Sequence, residues 1–132
     1  AQCLVGSEMC IRDSLLTTLT IDGFRVLMGK NNTQNEFLTL KKAAKTDLWL
    51  HARQIPGSHV VIETEGLTVP LATIEKAAAL AAWNSKGKDS GKVDVDYTLI
   101  RYVKKIPNGP PGLVNYTHQK TIAAIPTEIK DE

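Results

Sequence analysis

Cysteine is missing from almost the whole of this 132-residue chain: the only two, Cys3 and Cys10, fall within its first 14 residues. That opening stretch, CLVGSEMCIRDS over residues 3–14, reads as the in-frame translation of a transposon-based sequencing adapter, with Met9, Cys10, Ile11, Arg12, Asp13 and Ser14 matching its end codon by codon. Residues 1–14 are therefore set aside as an artefact and are expected to add nothing to the fold. From Leu15 onward the lack of cysteine excludes a disulfide framework, a thiolate metal centre and a cysteine nucleophile, and fits a reducing cytosol. No apolar run approaches the roughly 20 residues of a membrane-spanning helix. Internal repeats and low-complexity segments are also lacking.

Neither sign of charge dominates. Without Arg12, Glu8 and Asp13, which belong to the adapter-like stretch, 15 basic residues face 12 acidic ones, and the body from Leu15 to Pro126 carries 14 against 9. Such a surplus permits contact with a polyanion, but a mildly basic enzyme has the same balance. The length from Leu15 onward suits one domain, burying about two thirds of its extended-chain surface.

The chain is punctuated clearly enough to place elements. Residues 15–22 read as a connector, and Gly23 opens a short strand over Phe24–Met28. Thr33 and Glu36 have capping-box spacing, and Phe37, Leu40 and Ala44 follow at helical period, predicting a helix from about Gln34 to Ala44. From Asp47 the period becomes two: Leu48, Leu50 and Ala52 alternate with Asp47, Trp49 and His51. Pro56 and Gly57 mark a turn before a second strand, Ser58–Thr64, with Val60 and Ile62 on one face and His59 and Val61 on the other. Paired as a hairpin, these strands set His51 opposite His59 and Trp49 opposite Val61, leaving one face aliphatic and the other rich in chemistry.

Pro70 suits the first turn of a second helix, whose Ile74, Ala77, Ala78 and Ala81 form a narrow stripe, with Trp83 on the core side or its margin. A polar loop over residues 86–91 precedes a strand from Val93 to Leu99, whose alternation slips near Ile100 through a bulge or burial on both faces. A tight loop over residues 107–112 leads to Leu113–Tyr116 and Thr121–Ile125, read as a closing hairpin. The order β-α-β-β-α-β-β-β predicts an α+β domain over residues 23–126, a largely antiparallel sheet with both helices on one face. Residues 127–132 form a polar tail.

Three constellations carry possible chemistry. Gly29, Lys30, Asn31, Asn32, Thr33, Gln34 and Asn35 lie between strand and helix, where free amides and the helix dipole favour a phosphate. The plainer alternative is that Asn31 or Asn32 shapes the turn and Thr33 caps the helix. Asp47, Trp49, His51 and Arg53, followed by Pro56, Gly57, Ser58 and His59, have the groups to hold zinc, act as acid and base, or position a phosphodiester, but equally to lock a hairpin through hydrogen bonds. Two histidines without cysteine make a poor zinc site, and Trp49 beside Arg53 suits stacking on a base. Lys86, Lys88, Lys104, Lys105 and Lys120 become an RNA footprint only if the fold gathers them on one side.

The segments DGFRVLMGKNNTQNEFL from Asp22, DLWLHARQIPGSHVVI from Asp47, AALAAWNSKGKDSGKVDVDY from Ala78 and VKKIPNGPPGLVNYTHQKT from Val103 resemble, in order, the motifs of the NFACT-R family. The resemblance covers about Gly23 to Pro126, with Ile106 and Pro110 departing from the pattern. It implies the RNA-binding module of a cytosolic ribosome quality-control factor, one that recognises large ribosomal subunits obstructed by peptidyl-tRNA and supports C-terminal alanine tailing. In that family an N-terminal NFACT domain, a helix-hairpin-helix domain and a coiled coil carry much of the tRNA and ribosome contact, and none is present in this sequence. The motif positions it transfers are Lys30, Asn31, Gln34 and Asn35; Asp47, Trp49 and His51; Pro56 to His59; and Asp96 with Tyr97. With Arg53 and the five lysines above, these are the expected RNA contacts. The expected partners are the large ribosomal subunit and tRNA or peptidyl-tRNA, with no membrane, metal, cofactor or small-molecule substrate. Two rivals stand beside this non-catalytic reading: a phosphodiester or nucleotide enzyme using Asp47, His51 and His59, and an extracellular fibronectin-binding adhesin, suggested by an older family name.

Overall fold

A computed structural model describes residues 16–110 and 112–130; the adapter-like residues 1–14 lie outside that range. Eight strands are present among the described residues: β1 (Thr17–Ile21), β2 (Phe24–Met28), β3 (Leu48–Ala52), β4 (Val60–Glu63), β5 (Val93–Leu99), β6 (Val103–Lys105), β7 (Val114–Tyr116) and β8 (Lys120–Ala124). Two helices join them, α1 (Asn32–Phe37) and α2 (Leu71–Trp83). Six strands form one sheet in the order β1-β2-β4-β3-β5-β8, every neighbouring pair antiparallel, and β6 and β7 form a second, two-stranded sheet. The α+β class and the antiparallel sheet match the sequence expectation.

The alternation along β3 and β4 has its expected result. Trp49 pairs with Val61 and Leu50 with Val60, and the hairpin brings the rings of His51 and His59 to 5.1 Å between centroids. One face of the sheet carries Val26, Met28, Leu50, Val60, Ile62 and Val95, all buried against Ile74, Ala77, Ala78 and Ala81 of α2. The alanines hold the helix close because they have little side chain to keep it away.

The other face carries Leu27, Trp49 and Val61, and these are covered by Phe37 and Leu38 at the end of α1 together with Ile100 and Val103. The helices thus sit on opposite faces, not on one. The physical reason lies in the strands themselves: large apolar residues occupy both phases of β2, β3 and β4, and each face needs its own cover.

Four local expectations are also corrected. Residues 17–21, expected to be connector, are an edge strand paired with β2 along its whole length. Asp22 and Gly23 form the two-residue turn, both at positive φ (52° and 87°), as a type I′ hairpin requires. The first helix is capped two residues earlier than expected, by Asn31, and passes at Leu38 into a π-helical turn ending at Lys42. The slip at Ile100 is a 3₁₀ turn over Ile100–Tyr102, and the last two strands do not pair with each other: β7 returns onto β6 and β8 adds to the β5 edge.

Trp83 lies at the margin of the α2 core, half-buried, with the Lys88 ammonium 4.0 Å from its ring centroid. Trp83→Ala is therefore expected to cost about 1–3 kcal/mol in a thermal or urea melt, less than the ~3–5 kcal/mol of a fully buried tryptophan. A larger loss would put the ring inside the core.

Candidate nucleic-acid interface

The start of α1 is fastened to the β3–β4 hairpin. The His59 amide donates to Asn35 Oδ1 at 3.1 Å, the Gly29 amide donates to the His59 carbonyl at 3.2 Å, and Asn35 Nδ2 reaches the Gly57 carbonyl at 3.5 Å. Gly29 is needed for this close approach, since a Cβ there would collide with Asn35 Oδ1. At Gly57 a Cβ would lie 2.8 Å from Ser85 Cβ. The phosphate-cradle expectation fares poorly here. The Gln34 amide donates to Asn31 Oδ1 (2.8 Å), and the Lys30 amide donates to Gln34 Oε1 (2.9 Å), so the cap takes up two of the amides a phosphate would use.

Beside this fastening lies an aromatic cluster. Trp49 stacks on His51 at 5.7 Å between centroids, meets His59 edge-on at 5.2 Å and tilts against Tyr116 at 4.7 Å. Burial lowers the His59 pKa to about 3, aided by the neighbouring His51, against a smaller opposing contribution from the Gly112 backbone. Burial also lowers His51, offset in part by the backbone of Gly57 and Ala52 and by Asp96. Both imidazoles are neutral near pH 7, and the His59 Nδ1 is 2.7 Å from the Thr39 hydroxyl.

The two nearby acids are engaged. Asp96 accepts from the Tyr116 phenol and the Thr121 hydroxyl, each at 2.6 Å, and burial together with the Asp96 bond raises the Tyr116 pKa. Asp47 accepts from the amides of Ala44 (3.0 Å) and Thr64 (3.1 Å), tying the strand start to its flanks. Among the described residues no three His, Cys, Asp or Glu side chains converge where a metal ion would sit.

A cleft of about 550 Å³ opens over the cluster. Trp49, His51 and His59 line it together with Asn32 and Asn35, residues 54–57, and Tyr116 with Pro110 and residues 112–114. Gln54 and Ile55 also line a second, polar depression with Arg53, Lys86, Lys92 and Asp94. The two depressions therefore share a wall. One is apolar and neutral, the other mainly cationic.

Of the expected contacts, Asn35, Trp49, His51, Pro56, Gly57 and His59 meet at the cleft, and Arg53 and Lys86 at the cationic groove. Others lie elsewhere or are committed to the fold. Asn31 and Gln34 cap α1, Lys30 is exposed beside them, and buried Ser58 donates its amide to the Asn84 carbonyl. Tyr97 packs on the α2 side of the sheet; Lys88 covers Trp83; Lys105 pairs with Glu36 at 2.7 Å. Lys104 and Lys120 are exposed on β6 and β8. The lysines are thus not gathered on one side of a single site. Trp49, expected to stack on a base, is 0% exposed and lies beneath the surface instead. Sequence reasoning misses Gln54, Ile55, Lys92, Tyr116 and the stretch formed by Pro110 and residues 112–114 as site residues. The run GPPGLVNY is the signal for the last two, although by itself it spells only a turn and a strand.

The family model described as NFACT protein RNA binding domain matches residues 15–117. The Rqc2 homolog RqcH of Bacillus subtilis is 51% identical over 113 residues, 85% of this chain and 19% of that protein. Its namesake from Streptococcus suis is 48% identical over 105 residues, 80% of this chain and 19% of that protein. The chain thus spans about a fifth of the length of the curated relatives it matches. A solved structure, the C-terminal part of the fibronectin/fibrinogen-binding protein from Streptococcus suis, superposes with a TM-score of 0.78 at 46% identity, covering 84% of this chain and 45% of that one. By the extent of the family match and the closeness of these relatives, this chain belongs to the NFACT RNA-binding domain family.

Proposed function

We propose that this domain binds RNA as one module of a cytoplasmic ribosome quality-control factor, acting where a large subunit is obstructed by peptidyl-tRNA, with alanine tailing as the work of the whole protein. The observation that carries the RNA reading is the shared wall between the neutral aromatic cleft and the Arg53, Lys86 and Lys92 groove. RNA offers the matching pair of features, uncharged rings and a phosphate chain. The domain acts as a binder, not a catalyst. Asp47, the carboxylate an enzyme would need beside His51 and His59, spends both oxygens on backbone amides.

The test is binding of a labelled tRNA by anisotropy across a series of salt concentrations. Arg53→Ala and Lys86→Ala are each expected to weaken binding for all sequences and to lower the salt slope by about 0.7–0.9 for every phosphate left without its cation. An unchanged slope in both variants would remove the groove from the RNA path, and nucleotide turnover abolished by His51→Ala would replace binding with catalysis. The likeness to the Streptococcus suis structure supports a second reading, fibronectin binding. Capture on immobilised fibronectin with no affinity for tRNA would establish it in place of the first.

A further inference from the structure

Three features of the cleft bear on what fills it. Its volume, about 550 Å³, falls in the range of pockets that enclose a small planar ligand. Its lining is mainly aromatic and aliphatic, with the neutral amides of Asn32, Asn35 and Gln54 and no Lys or Arg, and burial keeps its two imidazoles uncharged near pH 7, so an anion placed there would lose its hydration without gaining a counter-charge. The third feature is an unspent donor. The indole Nε1–H of Trp49, a residue that lines the cleft at 0% exposure, has no hydrogen-bond acceptor among the described residues, although buried donors are nearly always paired. On the far side of Gln54 and Ile55, the charges of Arg53, Lys86 and Lys92 outnumber Asp94.

We infer that the cleft receives one unpaired nucleobase of a single-stranded RNA, the covering side chains shifting so that an acceptor on the base meets the buried Trp49 indole N–H, while an adjoining phosphate lies in the Arg53–Lys86–Lys92 groove. This rests on the RNA reading above and adds the chemical class and the strandedness of the ligand. Charge complementarity selects the occupant: a nucleotide is a neutral plane joined to an anion, and the protein presents a neutral slot joined to a cationic one. A duplex keeps its bases stacked and paired, so it can offer only phosphates. The bound base is gripped by ring contacts with His51 and Tyr116 at the walls and by Pro56 and Leu113 at the mouth.

The indole signals of a ¹⁵N spectrum test this on the full chain, which has only two tryptophans; Trp83→Phe assigns the pair. A single-stranded RNA pentamer is compared with a ribose-phosphate strand of the same length lacking all bases. The pentamer is expected to bind about 10-fold or more tightly than the base-free strand and to move the Trp49 indole signal. The base-free strand should move the backbone amides of Lys86 and Lys92 and leave that signal in place. Arg53→Ala should weaken both strands alike without altering the Trp49 shift at saturation. Equal affinity for the two strands, or a stationary Trp49 signal with the pentamer bound, would overturn the base slot and leave RNA binding intact. If neither strand bound, the slot and the RNA reading would fail together.

Discussion

Between pH 7.5 and pH 5 the domain is expected to lose about 2 kcal/mol of stability through His59 alone. The folded state holds this imidazole at a pKa of about 3, chiefly through burial, against an ordinary value of 6.5. Between those two values the unfolded chain binds a proton that the folded chain refuses, so stability is fully present above pH 6.5 and falls as the pH drops toward 3, by about 1.4 kcal/mol per unit. His51, also lowered, adds a loss of the same sign that begins just below pH 6.5. Stopping at pH 5 keeps Asp22 out of the measurement, since its bonds to Lys76 and Thr73 hold that carboxyl below 3.8. Urea titrations across this window, with His59→Gln in parallel, provide the check. The variant should show a flatter pH dependence, and a wild-type midpoint that does not move would mean that His59 is protonated in the fold.

Trp49→Ala is expected to cost about 3–5 kcal/mol, a large part of the ~5–15 kcal/mol that holds a typical domain folded. The side chain is fully buried, packed with Leu27, Leu38 and Val61 on one side and with the two histidines and Tyr116 on the other. Removing it takes away the floor of the cleft and the centre of one core together. Chemical denaturation measures the loss directly, and a value under about 1 kcal/mol would place the indole on the surface. Because of this dual position, reduced RNA binding by the alanine variant reports the fold before it reports a contact.

The hairpin that carries the site is legible in the sequence because its period is uninterrupted. Leu48, Leu50 and Ala52 against Trp49 and His51 allow only one pleat, and that pleat alone dictates the His51–His59 pairing. What period alone does not show is depth. Trp49 and His51 share a phase, but α1 and the β6–β7 sheet cover the first fully and the second only partly. The Asp22-Gly23 pair is a usable hairpin signal; taken only as the opening of a strand, it leaves β1 unseen. The opposite placement of the helices is written in Leu27, Trp49 and Val61, three large apolar residues on the face expected to be polar. The cleft itself is hidden because it is tertiary: part of its lining arrives from Pro110, residues 112–114 and Tyr116, far along the chain from the hairpin.

That separation bears on how the molecule assembles. The cleft draws on Asn32, on lining residues between Trp49 and His59, and on Pro110, residues 112–114 and Tyr116, segments spread over about 80 positions, and such non-local contacts must wait for loop closures that cost entropy before they return anything. The inner strand pairs β2–β4 and β3–β5 each span an intervening helix, and the contact of Tyr116 on β7 with Trp49 adds a further non-local closure. Binding competence is therefore expected late in folding. A ligand seated there joins the two ends of that span, opposing opening of the whole domain and not only of its rim.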